Sequence, residues 1–407
     1  MVSIYTISDK ALMGKQINIL SAYISECFFK NNLKIFKQCV LSANSNFKQL
    51  INIDENSNVY IFLVDKANLN LNEFLCEITN SNLIDNPYLK NAIYDYYRKI
   101  SQPVEKDSEL EWRISSKARA IINNEGLTQG YLLNNDNYIF CVLPNNYEEA
   151  RQMFDDVVLD FIKSNQKKKY KTYTFKTFGL TESVISTIIS QELKNKDKIS
   201  INLFSKLLEV DIVIKSLENN HELDNIAQKI LLKLDKYIYS VEDIRIENVL
   251  YKLLKLNEIK ISFIEDITAG NLCSKLSQES SDAKNYIGKS VIVLDKQSKI
   301  DNFNLSEHDF EVDYGISPNL VYEITARMLK ETNSNIVVAN IGNLNKDNNL
   351  PYGLCYIAVG DKREIHVYKN IFKGSIKDII NSVTIASYFY LIKKLKKNDF
   401  HFEQTTV

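Results

Sequence analysis

Residues Ile259–Lys275 read IKISFIEDITAGNLCSK. Ile259, Ile261 and Phe263 alternate with polar neighbours at period two, which predicts a strand. The chain then passes through Glu265-Asp266-Ile267-Thr268-Ala269-Gly270, and Leu272, Cys273 and Leu276 follow at helical spacing. A strand that runs through small residues into a helix leaves backbone N–H groups free at the helix start. The helix dipole favours negative charge there, so α/β enzymes place nucleophiles and phosphates at such turns. What this part of the chain can do rests on the chemistry left in residues 265–270.

Downstream of this stretch, Ser290–Leu294, Ile336–Ile341, Leu354–Val359 and Glu364–Lys369 read as strands. Leu320–Lys330 and Ile376–Leu395 read as helices. Upstream, residues 172–250 read as a smaller α+β unit. It has strands at Thr172–Thr177 and Val210–Lys215, and helices at Glu182–Leu193 and Leu223–Leu234. A helix over Ile244–Leu256 leads on from it. Residues 1–165 alternate again, with strands at Val2–Ile7, Leu33–Val40, Val59–Val64 and Ile139–Leu143. Helices are predicted at Leu12–Phe29, where Ile17, Leu20, Ile24 and Cys27 share a face, and at Leu71–Ile78, Tyr88–Ile100 and Tyr147–Ile162. Strands alternating with helices imply a parallel sheet covered on both faces.

The totals fit this reading. A chain of 407 residues suggests two or three domains. A formal net charge of −1 makes no case for nucleic acid or an anionic membrane. Lys167–Lys171 reads as a solvated linker; with Lys393–Lys397 it is the only basic material for a nucleic-acid contact, and the neutral net charge argues against one. With only 11 glycines there is little material for phosphate-cradling loops. The six cysteines show no CxxC spacing and the four histidines are isolated, so no zinc site is expected. The start resembles no signal peptide and no apolar run reaches membrane length, which leads us to expect a cytoplasmic protein with reduced thiols.

Several collinear stretches together resemble the CinA family, in which a MoaB/Mog-like molybdopterin-binding-type domain, a small linking domain and a PncC-type nicotinamide-nucleotide amidase domain follow one another. Ile7–Gly14 (ISDKALMG), Asn123-x-x-Gly126-x-x-x-Gly130 and Leu143-Pro144-Asn145-Asn146-Tyr147-Glu148-Glu149 fit the first domain. Phe178-Gly179-Leu180-Thr181-Glu182-Ser183 fits the opening of the second. The 259–275 stretch, Tyr314-Gly315-Ile316-Ser317 and Pro351-Tyr352-Gly353 fit the third. The resemblance implies an α/β fold. It comprises a MoaB/Mog-like parallel-sheet domain (1–165), an α+β linking domain (172–250) and a CinA/PncC-like domain (257–400), and the protein would be a homodimer. It also implies nucleotide ligands, nicotinamide mononucleotide or ADP-ribose-like, with Mg²⁺ if a first-domain pyrophosphatase site is active. Molybdopterin binding is implied by fold analogy alone.

At the amidase turn the resemblance implies Glu-Ser-Cys-Thr-Gly-Gly, with serine as nucleophile and a lysine about thirty residues on. A serine hydroxyl needs such a neighbouring base. Here Asp266 stands for the serine and Ala269 for a glycine, while Thr268 and Gly270 persist. Asp266 could attack as a carboxylate, activate water as a general base, or simply cap the helix start. Thr268 is either a fallback nucleophile or a structural turn hydroxyl. Lys299 falls at the position of the catalytic lysine, but without a hydroxyl to activate it is expected to be a surface lysine. The loop after the next strand is Asn340-Ile341-Gly342-Asn343-Leu344-Asn345, poorer in small residues than the family's, and Ile376 stands for an arginine. In the first domain the glycine-rich loop has become Leu63-Val64-Asp65-Lys66-Ala67-Asn68-Leu69, and Asp65 is expected to be an ordinary loop acid. Asp266, Thr268 and Lys299 are therefore the candidate catalytic positions. The leading expectation is a retained scaffold with impaired hydrolase sites; the alternative is an active nucleotide hydrolase.

Overall fold

The computed structural model describes residues 1–53, 56–135, 137–164, 170–190, 198–217, 220–310, 315–347 and 349–397. Most of the first basic run, the end of the helix predicted over Glu182–Leu193, Tyr314 and Asn348 lie outside the described residues. The chain divides into two compact units, Met1–Tyr170 and Lys171–Val407.

The first unit is built on a six-stranded sheet. Its order is Ile35–Leu41, Val2–Ile7, Val59–Val64, Ile139–Pro144, Gly130–Asn134 and Arg119–Ile121. The first four strands are parallel. The last two extend that parallel core with antiparallel pairing. The strand VYIFLV shows why the sheet must be covered on both sides: Tyr60, Phe62 and Val64 enter one apolar core and Val59, Ile61 and Leu63 the other.

One predicted helix is corrected. Leu12–Phe29 is not a single helix, because Asp9–Leu12 forms a short turn and the main helix runs over Ile19–Lys30. Gly14, at φ +67°, breaks the chain between them, and Asn18 stands at the cap of the second helix. Ile17 consequently leaves the core face and is 81% exposed.

The second unit holds two sheets. The smaller has the order Ser200–Ser205, Glu209–Leu217, Tyr170–Phe178 and Ile238–Ser240. The helices Glu182–Ser190 and His221–Leu234 bury their apolar faces in its core. The larger has the order Ile287–Ile292, Ile261–Glu265, Ile336–Gly342, Leu354–Asp361 and Ile365–Ile371. Its first three strands are parallel and its last two antiparallel. The helices Ile246–Leu256 and Ile376–Lys397 share one core with this sheet. Phe178, at the end of the small sheet's strand, enters the same core and stacks on Phe389 with ring centroids 4.3 Å apart.

Among the described residues no helix is long and apolar enough to cross a membrane. Truncating a buried phenylalanine costs the transfer of its ring plus the cavity left behind. Phe178→Ala is therefore expected to destabilise the second unit by about 3–5 kcal/mol, read as an earlier urea transition by circular dichroism.

Candidate functional site

The strand Ile261–Glu265 ends on a carboxylate that is fully buried. Glu265 Oε2 accepts from the Thr268 hydroxyl at 2.7 Å and the Leu272 N–H at 3.0 Å, and Oε1 from the Cys273 N–H at 3.0 Å. These are the free donors at the start of the Asn271–Ser277 helix, so the charge lies where the helix terminus favours it. Between strand and helix the backbone turns through Ala269 at φ +48° and Gly270 at φ +93°. Asn340, also fully buried, completes the turn: its amide group donates to the Thr268 hydroxyl at 2.8 Å, and its side-chain oxygen accepts from the Thr268 N–H at 3.3 Å.

Thr268 is thus held on both sides. Its proton goes to Glu265, its oxygen accepts from Asn340, and the side chain is buried. The hydroxyl is arranged as a brace, with no base beside it that is free to take its proton.

Two sequence expectations are corrected here. Lys299 is not a surface lysine: it is 6% exposed, and its Nζ lies 3.2 Å from Asp266 Oδ2. The helix Lys296–Phe303 carries it inward, started by an Asp295–Ser298 capping box. Nor does Asp266 cap the helix. Gly270 occupies that position, while Asp266 Oδ2 also accepts from the Gly342 N–H at 3.3 Å. Burial pushes the Asp266 carboxyl above its ordinary value, and the Lys299 charge and the Gly342 N–H pull the other way less strongly. Gly342 is required beside it, because a Cβ there would lie 2.2 Å from Ile267 Cδ1 and 2.4 Å from the Leu354 carbonyl oxygen. The structure thus brings Asp266 and Lys299 together and sets Thr268 into a separate network. Glu265 and Asn340 were not among the expected residues. The available signal was an acid where the strand's alternation ends, followed at once by small residues.

In the first unit a cleft of about 760 Å³ opens at the carboxyl ends of the parallel strands, where open α/β sheets bind ligands. Asp65, just past Val59–Val64, is half-buried there. It accepts from the Ser8 hydroxyl at 2.7 Å and the Asn145 amide at 3.0 Å, so it ties three strand ends together and is not a free loop acid. Glu111 and Glu149 share the wall. Glu149 lies so close to Gly126 that a Cβ on the glycine would overlap its carboxylate. Glu111 carries no motif, and only the tertiary structure places it in the cleft.

The family model for the CinA C-terminal domain matches residues 243–395. A competence-damage inducible protein of Caldicellulosiruptor saccharolyticus is 23% identical over 97% of this chain and 99% of its own length. The chain is a divergent member of the CinA family. A CinA-like protein of Fusobacterium nucleatum is 24% identical over 97% of this chain and 98% of its own. Among solved structures, a CinA superfamily protein of Klebsiella pneumoniae covers 37% of this chain and 96% of its own at a TM-score of 0.36 and 17% identity. The molybdopterin biosynthesis enzyme MoaB of Thermus thermophilus covers 41% and 98% at a TM-score of 0.27 and 14% identity.

Two stability experiments follow from the geometry of the CinA-type turn. Lys299→Met leaves Asp266 buried without its partner, and the expected loss is about 3–5 kcal/mol; adding Asp266→Leu is expected to recover most of it. Urea titration of both variants checks this. Ala269→Gly removes a Cβ from a left-handed position, and the expected gain is about 0.5–1 kcal/mol by the same measurement.

Proposed function

We propose that this CinA-family chain has given up amide hydrolysis at its C-terminal site and persists as a binding or assembly scaffold. The observation that carries this reading is the buried Asp266–Lys299 ion pair. A lysine that serves as a base must be free to lose its proton and must face a hydroxyl. Here its partner is a carboxylate at the position that the family resemblance assigns to the nucleophile. As a carboxylate, Asp266 would also oppose the negative charge that develops on a carbonyl oxygen under attack. The remaining hydroxyl, Thr268, spends its proton on Glu265.

The same reading covers the arrangement into three domains and self-association through the second and third. Sedimentation of the purified chain tests the latter, with a monomer at micromolar concentration as the outcome against it.

The direct test is incubation with nicotinamide mononucleotide. The expected result is ammonia release no faster than in a protein-free control. Robust release that disappears in Asp266→Ala would overturn the proposal. Replacing a catalytic serine has cost about a million-fold in a well-studied protease, so a partial loss is not the expected pattern.

A further inference from the structure

We propose that the small sheet of the second unit pairs with the same sheet of a second copy of this chain, through the edge strand Ser200–Ser205. This rests on the self-association proposed for the second and third domains and locates its surface. An edge strand offers a row of N–H and C=O groups to any other strand, so folded proteins blunt such edges with charge, brevity or cover. Among the described residues the other sheet edges follow that rule. Ile35–Leu41 carries Lys37, Ile287–Ile292 carries Lys289 and Ile365–Ile371 carries Lys369. Arg119–Ile121 has three residues, as do Leu83–Asp85 and Arg113–Ser115 of the two-stranded sheet. Ile238–Ser240, the opposite edge of the small sheet, also has three, and Lys396 Nζ donates to the Ile238 and Tyr239 carbonyls at 3.3 and 3.4 Å. Ser200–Ser205 reads SINLFS: six residues with no charge and no proline.

The ladder decides which backbone groups this edge leaves open. At the turn, Lys206 and Glu209 exchange both their backbone bonds. Bonded and non-bonded pairs alternate along an antiparallel ladder. Phe204, Asn202 and Ser200 therefore bond inward, to Asp211, Val213 and Lys215. The N–H and C=O groups of Ile201 and Leu203 face away from the sheet, where no described strand lies. The side chains of Ile201 and Leu203 join the apolar core of the sheet, yet both are only half-buried, because that core ends at this strand. The helix Glu182–Ser190 packs beside the strand and leaves Val184 44% exposed.

A two-fold axis normal to the sheet sets the strand antiparallel to its own copy and keeps both core faces on one side. Centred on Asn202, the register sets Ile201 against Leu203 of the second copy, and the open backbone groups of these residues bond to one another. The half-buried apolar side chains of the two copies then close a single core. Asn202 meets Asn202 of the second copy, an amide pair in which each side chain both donates and accepts. No like charges face each other, a repulsion that a symmetric contact would otherwise impose. The Glu182 carboxylate excludes the register centred on Leu203: it already accepts from the Ser205 N–H at 3.1 Å and the Ser205 hydroxyl at 2.6 Å, and that register needs the N–H for Ile201.

Sedimentation and disulfide trapping of the full-length protein test the proposal. Opposed residues of a non-bonded antiparallel pair lie about 4.5 Å apart at Cα, within disulfide reach. Asn202→Cys is therefore expected to give a covalent dimer on a non-reducing gel after mild oxidation. Two copies of Phe204→Cys would lie about 13 Å apart or more, and are expected to give none, like the unsubstituted chain. Asn202→Lys sets two positive charges at the centre and is expected to weaken the dimer about tenfold or more. If Asn202→Lys fails to fold by circular dichroism, the two cysteine variants carry the test. A monomer at micromolar concentration overturns this proposal together with the self-association on which it rests. A dimer that survives Asn202→Lys, or that Asn202→Cys does not trap, overturns this proposal alone and assigns the association to another face. Equal trapping by Phe204→Cys overturns it as well, because it marks random collision.

Discussion

The C-terminal sheet depends on how it tolerates one buried charge. Glu265 has no solvent exposure, and an isolated carboxylate in that position would cost several kcal/mol. Three donors surround it, two of them N–H groups that the Asn271–Ser277 helix cannot satisfy internally. Each side thus supplies what the other lacks. The strand end, the turn and the helix start are locked into one geometry, and Asn340 extends the lock to the neighbouring strand. The side chain of residue 266 takes no part in these particular contacts.

The two candidate sites are held in a similar way. At the C-terminal turn, Lys299 and the Gly342 N–H approach Asp266 from within the chain. In the first unit, Ser8 and Asn145 do the same for Asp65. In each case a polar group that could have faced a ligand has an internal partner instead. The difference lies in what remains open. The first unit keeps a cleft whose wall still holds an unpartnered carboxylate oxygen, whereas Asp266 and Lys299 satisfy each other.

Much of the fold was legible because long periodic segments carry their own evidence. Val2–Ile7, Val59–Val64, the strand-turn-helix at 259–275 and the closing helix all lie where their patterns place them. Short elements left no such trace. Arg119–Ile121 and Ile238–Ser240 have three residues each, too few to display a period. The Leu12–Phe29 helix was overextended because apolar spacing continued through Gly14 and Asn18, residues that stop a helix locally. For the sites, residue type was readable but pairing was not. The resemblance marks Lys299 as the lysine position, but only the fold shows it buried against Asp266, thirty-three residues earlier. Glu111 needs the tertiary structure to be noticed at all.

The stacking of Phe178 on Phe389 bears on how the chain is made. Those rings are separated by more than two hundred residues, and the helix bearing the second is the last described element. The first compact unit is one uninterrupted stretch, so it can condense while the ribosome is still at work. The second cannot close its core until the Ile376–Lys397 helix has emerged, because that helix fills the core. During the interval the apolar face of the Ile246–Leu256 helix stands uncovered, and protection by a chaperone would matter most at that stage of synthesis.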